Sequence, residues 1–181
     1  MKKVLKEIGS ILIYLLIAVV LSWLIITFVG QRVVVDGSSM EATLSDRDNL
    51  IVDKISYRFN DPQRFDIIVF PAPYNEKENL IKRIIGLPGE TVQIDKQGDI
   101  YINGNKLEEN YGRETIKPEN IGIAQQPIKL GKDEYFVMGD NRNHSMDSRT
   151  TTVGNVKRQD IIGRAWVRIW PFSEFGVLKH Q

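Results

Sequence analysis

The amino-acid sequence predicts a mainly β fold, an antiparallel barrel or sandwich, carried on a single N-terminal membrane-crossing helix. Three observations predict it. A run of 24 uncharged residues, 8–31, dominated by Ile, Leu and Val, opens the chain. Short runs rich in Ile, Val, Phe, Tyr and Trp, separated by Gly, Pro, Asn and Asp, fill most of the remaining sequence. No helical periodicity of useful length occurs after residue 32.

The opening run comes first in the chain. As a helix it would rise roughly 36 Å at about 1.5 Å per residue, enough to cross a hydrocarbon core of about 30 Å. A core helix would carry a polar face, and this run has only Ser10, Ser22 and Thr27. A cleaved targeting segment would have a shorter apolar stretch and a small-x-small site, which is missing before Gln31. Lys2, Lys3 and Lys6 precede the run and only Arg32 closely follows it. The positive-inside bias therefore puts residues 1–7 in the cytoplasm, 8–31 in the membrane as an uncleaved anchor, and 32–181 outside.

The strands are expected at 32–35, 50–55, 66–70, 80–85, 91–94, 100–102, 134–138 and 161–170. Lys96-Gln97-Gly98-Asp99 reads as a hairpin turn between two of them, and Asn103-Gly104 begins the next. Residues 108–132 are more polar and weakly periodic, and fit either a loop-rich insertion or a small second lobe.

Composition narrows the function. The 181 residues include no cysteine and two histidines, His144 and His180, so disulfides and thiolate metal sites are excluded and a histidine site is unpersuasive. Of 24 basic and 23 acidic residues, three lysines and one glutamate precede residue 32, leaving a formal charge of −1 on the folded part. A balanced domain of this kind has no bulk attraction for nucleic acid.

Three motifs carry chemistry. The first is Gly37-Ser38-Ser39-Met40-Glu41-Ala42-Thr43-Leu44; the second is Ile81-Lys82-Arg83-Ile84-Ile85-Gly86-Leu87-Pro88-Gly89. A serine hydroxyl needs a base, and a lysine serves as one only where its surroundings keep it neutral. In the second motif Leu80, Lys82 and Ile84 share one strand face and Ile81, Arg83 and Ile85 the other. Burial among apolar side chains would lower the amine's pKa. The third motif is Gly139-Asp140-Asn141-Arg142-Asn143-His144-Ser145-Met146-Asp147-Ser148-Arg149, which by itself reads as a charged turn.

Taken together and in this order, the motifs resemble those of the bacterial type I signal peptidases, membrane-bound Ser-Lys proteases that remove signal peptides from exported proteins. The resemblance runs from the anchor to Trp170-Pro171-Phe172 and implies Ser39 as nucleophile and Lys82 as general base, with no cofactor and no metal. It further implies that the Ser145 hydroxyl hydrogen-bonds the lysine amine, that Asp147 and Arg149 form a supporting ion pair, and that Val35, Met40, Leu44, Leu80 and Ile81 line an apolar substrate pocket. Its implied partners are secretory preproteins with small residues, usually Ala, before the cut, together with membrane lipid.

Several positions depart from the pattern. Ala42 and Phe65 stand where the family usually has Pro and Gly, Glu90 where it has Asp, and Asn143 and His144 where it has Asp and Asn. Gly37 resembles the Gram-positive members and leaves the oxyanion to the Ser39 N–H and a second, unidentified donor. Two rival readings are a self-cleaving repressor-type Ser-Lys peptidase, which would need a DNA-binding N-terminal domain, and a membrane-tethered β-domain that only binds an exported partner. His144 as the base of a Ser-His-Asp triad is the weaker alternative to Lys82.

Overall fold

A computed structural model of the chain describes residues 2–24 and 30–178. Helix α1, Lys2–Leu24, opens it. Its apolar residues, among them Leu12, Leu15, Leu16 and Val19, are exposed, so it is not a core helix. Four charged residues sit in its first two turns, and the uncharged part, residues 8–24, rises roughly 25 Å, short of a hydrocarbon core of about 30 Å. Among the described residues no helix is long and apolar enough to cross a membrane. Residues 25–29 of the expected anchor, and His180, lie outside the described residues.

The rest is antiparallel β structure. The larger sheet is built from β1 (Gly30–Val34), β2 (Asn49–Asp53), β3 (Ile67–Ala72), β4 (Asn75–Gly86), β9 (Glu134–Met138), β10 (Val156–Lys157), β11 (Gly163–Trp170) and β12 (Gly176–Val177). Its path runs β1-β2-β11-β3-β4-β9-β10, with β12 attached to β11. The smaller sheet takes β5 (Thr91–Ile94), β6 (Ile100–Ile102), β7 (Asn105–Lys106) and β8 (Ile128–Lys129) in the order β7-β6-β5-β8. The expected antiparallel β character is present, but a barrel does not close: β1 and β10 are separate ends of the larger path. Helix α2 (Ser56–Phe59), between β2 and β3, is a single turn.

Three apolar clusters hold these layers. Val35, Met40, Leu44, Leu50, Val52 and Val69 pack beneath the β1-β2-β11-β3 part. Ile68, Phe70, Ile84 and Val137 form a second group, and Ile85, Val92, Ile94, Phe136 and Met138 join the two sheets in a third. Asn103 and Gly104 both have positive φ, 52° and 83°, the conformation a two-residue hairpin turn requires. Residues 108–132 form no separate lobe. They cross the surface as an extended strap with two 3-10 turns, Pro118–Asn120 and Gly122–Gln125, and sink Ile116, Ile121, Ala124 and Leu130 into the third cluster.

Candidate active site

The segment carrying Ser39 follows β1. A compact turn forms where the N–H of Glu41 donates to Ser38 O, 3.1 Å, and that of Leu44 to Met40 O, 2.8 Å. Met40 and Leu44 are buried and anchor the turn in the core, leaving Ser39 half-buried and Ser38 exposed. Gly37, at φ 90°, donates its N–H to Asp46 Oδ1 at 2.9 Å.

Lys82 arrives from the middle of β4, where it faces Ile68 of β3. Its side chain is only 3% exposed, and its Nζ lies 2.8 Å from Ser39 Oγ while donating to Ile81 O at 3.0 Å. Burial, the largest influence, pushes the amine down from 10.5 to about 8; the carboxylates of Asp147 and Asp140 pull the other way and Arg149 reinforces the drop. The hydroxyl and the amine are therefore in reach of proton transfer, and near pH 8 about half of the lysine is neutral.

The loop after β9 closes over this pair. Arg149 grips Asp147 through two bonds of 2.8 Å, and Asp147 Oδ2 accepts the N–H of Gly139 at 3.0 Å, so the expected ion pair is present and buried. A Cβ on Gly139 would lie 2.4 Å from Ser39 O and 2.3 Å from Ser145 Oγ, so only glycine allows the loop to approach Ser39 this closely. Ser145 differs from expectation. Its Oγ is buried but has no hydrogen-bond partner, and the implied bond to Lys82 is not formed; the Lys82 amine is directed to Ser39 and the Ile81 carbonyl. His144 is exposed on the outer part of the loop, whereas the contact with Ser39 Oγ is made by Lys82.

Two features had no assigned role in the sequence. Asn141 donates its backbone N–H to Ser39 O and its Nδ2 to Ser38 O, both at 3.0 Å, fixing the backbone at Ser39. Arg83, beside the lysine, forms a completely buried fork on Asp140, with Nε–Oδ1 at 2.9 Å and Nη2–Oδ2 at 2.7 Å. Thr43 Oγ1 donates to the same carboxylate at 2.6 Å. For Arg83 the available signal was strand alternation: with Lys82 facing one way, Arg83 had to face another buried surface and needed an acid there; Asn141, in the loop after β9, left no such signal.

Of the expected pocket residues, Val35, Met40, Leu44 and Ile81 lie in one apolar cluster, while Leu80 packs against a different one. Phe65 has φ 73° and Ala42 φ 65°, both in the left-handed region. At 65 this accounts for the family's glycine; at 42 it does not accord with the family's proline, whose ring holds φ near −65°. Glu90 takes both forks of Arg64, at 2.6 and 3.0 Å, and accepts the N–H of Leu87. Among the described residues no group of His, Cys, Asp or Glu is arranged to hold a metal ion.

Comparison with known proteins matches residues 8–170 to the family described as "Signal peptidase, peptidase S26". The chain is 47% identical over 169 residues to a signal peptidase I of Leptolyngbya laminosa, covering 90% of this chain and 79% of that one. It is 45% identical over 166 residues to a probable signal peptidase I-2 of Synechocystis, with 89% and 72% covered. With signal peptidase I P of Bacillus subtilis subsp. natto the identity is 41% over 180 residues, 95% of each chain. A crystal structure of a signal peptidase I from Enterococcus faecalis V583 superposes with a TM-score of 0.48 at 39% identity, covering 58% of this chain and 97% of that one. With the family match extending from α1 through β11 and most of each relative covered, this chain belongs to the signal peptidases of peptidase family S26 and is an enzyme of the signal peptidase I type.

Proposed function

We propose that the enzyme removes signal peptides as a serine endopeptidase whose catalytic pair is Ser39 and Lys82, working at the outer face of a membrane to which residues 8–31 anchor it. The observation that carries this reading is the 2.8 Å approach of a buried, weakly basic amine to the half-buried serine hydroxyl. Neutral Nζ takes the Oγ proton as Oγ attacks the scissile carbonyl carbon, then returns it to the departing amine. A water molecule repeats the sequence on the acyl-enzyme, giving its proton to Nζ and releasing the signal peptide. The negative oxygen formed at each attack is stabilised by the Ser39 N–H.

Ser39 follows the end of the apolar run by eight residues, so even a fully extended link keeps it within roughly 28 Å of the bilayer at about 3.5 Å per residue. A signal peptide whose apolar part is in the membrane presents its cleavage site at that height. The domain at 32–181 would thus meet preproteins as they emerge, with the N-terminus in the cytoplasm. The apolar cluster of Val35, Met40, Leu44 and Ile81 beside the dyad suits small side chains before the cut.

The test is cleavage of a preprotein bearing an Ala-x-Ala site by the purified full chain. Ser39→Ala and Lys82→Ala should each abolish cleavage in folded protein, with the double variant little worse than either, and Ser38→Ala should keep substantial activity. Lys82→Arg should be inactive although it keeps the charge, because a guanidinium does not release its proton at working pH. Cleavage by Lys82→Arg at near wild-type rate would remove Lys82 as the base.

A further inference from the structure

The strap that leaves β7 is the part of the domain least explained by the catalytic motifs, and it crosses directly over them. The ring of Tyr111 lies flat against Arg83, 3.6 Å from its Cζ, and packs at 5.2 Å between ring centroids against Phe65. Two residues on, the N–H of Arg113 donates to Asp140 O at 2.9 Å. Two residues before, Glu109 takes both ends of the Arg142 guanidinium, whose Nε donates to Gly139 O at 3.1 Å.

Arg83 shows what the ring contributes. Four of its five in-plane N–H groups are engaged, by both Asp140 oxygens, by Phe65 O at 2.8 Å and by Thr43 Oγ1 at 3.3 Å. Hydrogen bonds lie in the guanidinium plane and leave its faces uncovered, and in a desolvated site an aromatic face is the group that can cover one of them with favourable electrostatics. Water admitted there would compete with the fork on Asp140. That fork is one end of a short rigid path. Asp140 precedes Asn141, which holds the carbonyls of Ser38 and Ser39; Arg83 follows Lys82 in the same strand. A shift of the guanidinium relative to Asp140 is therefore a shift of one half of the dyad relative to the other.

We propose that Tyr111 is a positioning residue: by covering the face of Arg83 it locks the Arg83–Asp140 fork and so sets the separation of Ser39 Oγ from Lys82 Nζ. The effect assigned to Tyr111 runs through Arg83. Its role depends on the assignment of Ser39 and Lys82 as the catalytic pair, and on the aromatic face rather than on the hydroxyl.

The experiment compares the full-length wild type, Tyr111→Phe and Tyr111→Leu on one preprotein, with kcat and KM separated and thermal unfolding followed in parallel. Tyr111→Leu should lose roughly tenfold in kcat with little change in KM, and Tyr111→Phe should hold most of the wild-type kcat. If Tyr111→Leu does not fold, Tyr111→Met, similar in bulk and without a ring, takes its place. A wild-type enzyme that does not cleave overturns the assignment of the catalytic pair. With an active wild type, the inference fails if the leucine variant keeps its kcat, if only KM changes, or if the phenylalanine variant falls as far as the leucine one.

Discussion

Lys82 is held between burial, which disfavours its charge, and the Ser39 hydroxyl 2.8 Å from its Nζ. Because burial lowers its pKa from 10.5 to about 8, the rate of the free enzyme should rise with pH through an apparent value near 8 rather than near that of an ordinary lysine. The same shift acts on stability with a definite sign. The unfolded chain holds the proton up to about 10.5 and the folded one releases it near 8, so folded stability increases with pH across that window and is lower below it. Lys82→Met should consequently be inactive yet more stable at pH 7 by about 2–3 kcal/mol, with a flatter dependence between pH 8 and 10; denaturant unfolding at several pH values measures this. A flat wild-type curve in that window would contradict the burial argument. Ser39 and Lys82 were legible in the sequence as a candidate pair because their two motifs are local, and the structure places them 2.8 Å apart. The missing bond from Ser145 and the grip of Asn141 on Ser39 O were not, since both depend on how closely Gly139 lets the loop approach, a property of three-dimensional packing.

Among the elements, the turn after Ser39 carries the clearest departure from the family pattern. Ala42 sits at φ 65°, a conformation that costs an L-residue about 1–2 kcal/mol and that proline cannot adopt. Restoring the family residue by Ala42→Pro should therefore destabilise the domain by about 3 kcal/mol or misplace Ser39, whereas Ala42→Gly should be tolerated; thermal unfolding and preprotein cleavage report on each. An Ala42→Pro enzyme as stable and active as the wild type would mean that the turn is wound differently. Strand positions were well predicted where several β-prone residues stand together, as in β5, β6 and β9. The two-residue strands β7, β8, β10 and β12 were not, because pairing at an edge depends on the neighbour and leaves no periodic trace. The strap was equally opaque, since its buried Ile116, Ile121 and Ala124 follow neither a twofold nor a 3.6-residue repeat.

At the scale of the whole molecule, orientation across the membrane is the property that decides whether the enzyme meets its substrates. With three lysines before the apolar run and only Arg32 closely after it, protease added outside intact spheroplasts should digest the domain beyond Arg32. Complete protection with intact membranes would reverse the topology. The sheet order adds a consequence for the order of events in the life of the chain. β11, the last long strand described, lies between β2 and β3, so the middle of the larger sheet is vacant until residues 163–170 are available. The segment bearing Ser39 leans on that strand through Arg168, whose Nη2 donates to Thr43 O at 2.8 Å. If Ser39 and Lys82 are the catalytic pair, a chain halted before β11 should be inactive although it already carries both residues, because the strand that braces the Ser39 segment would still be missing.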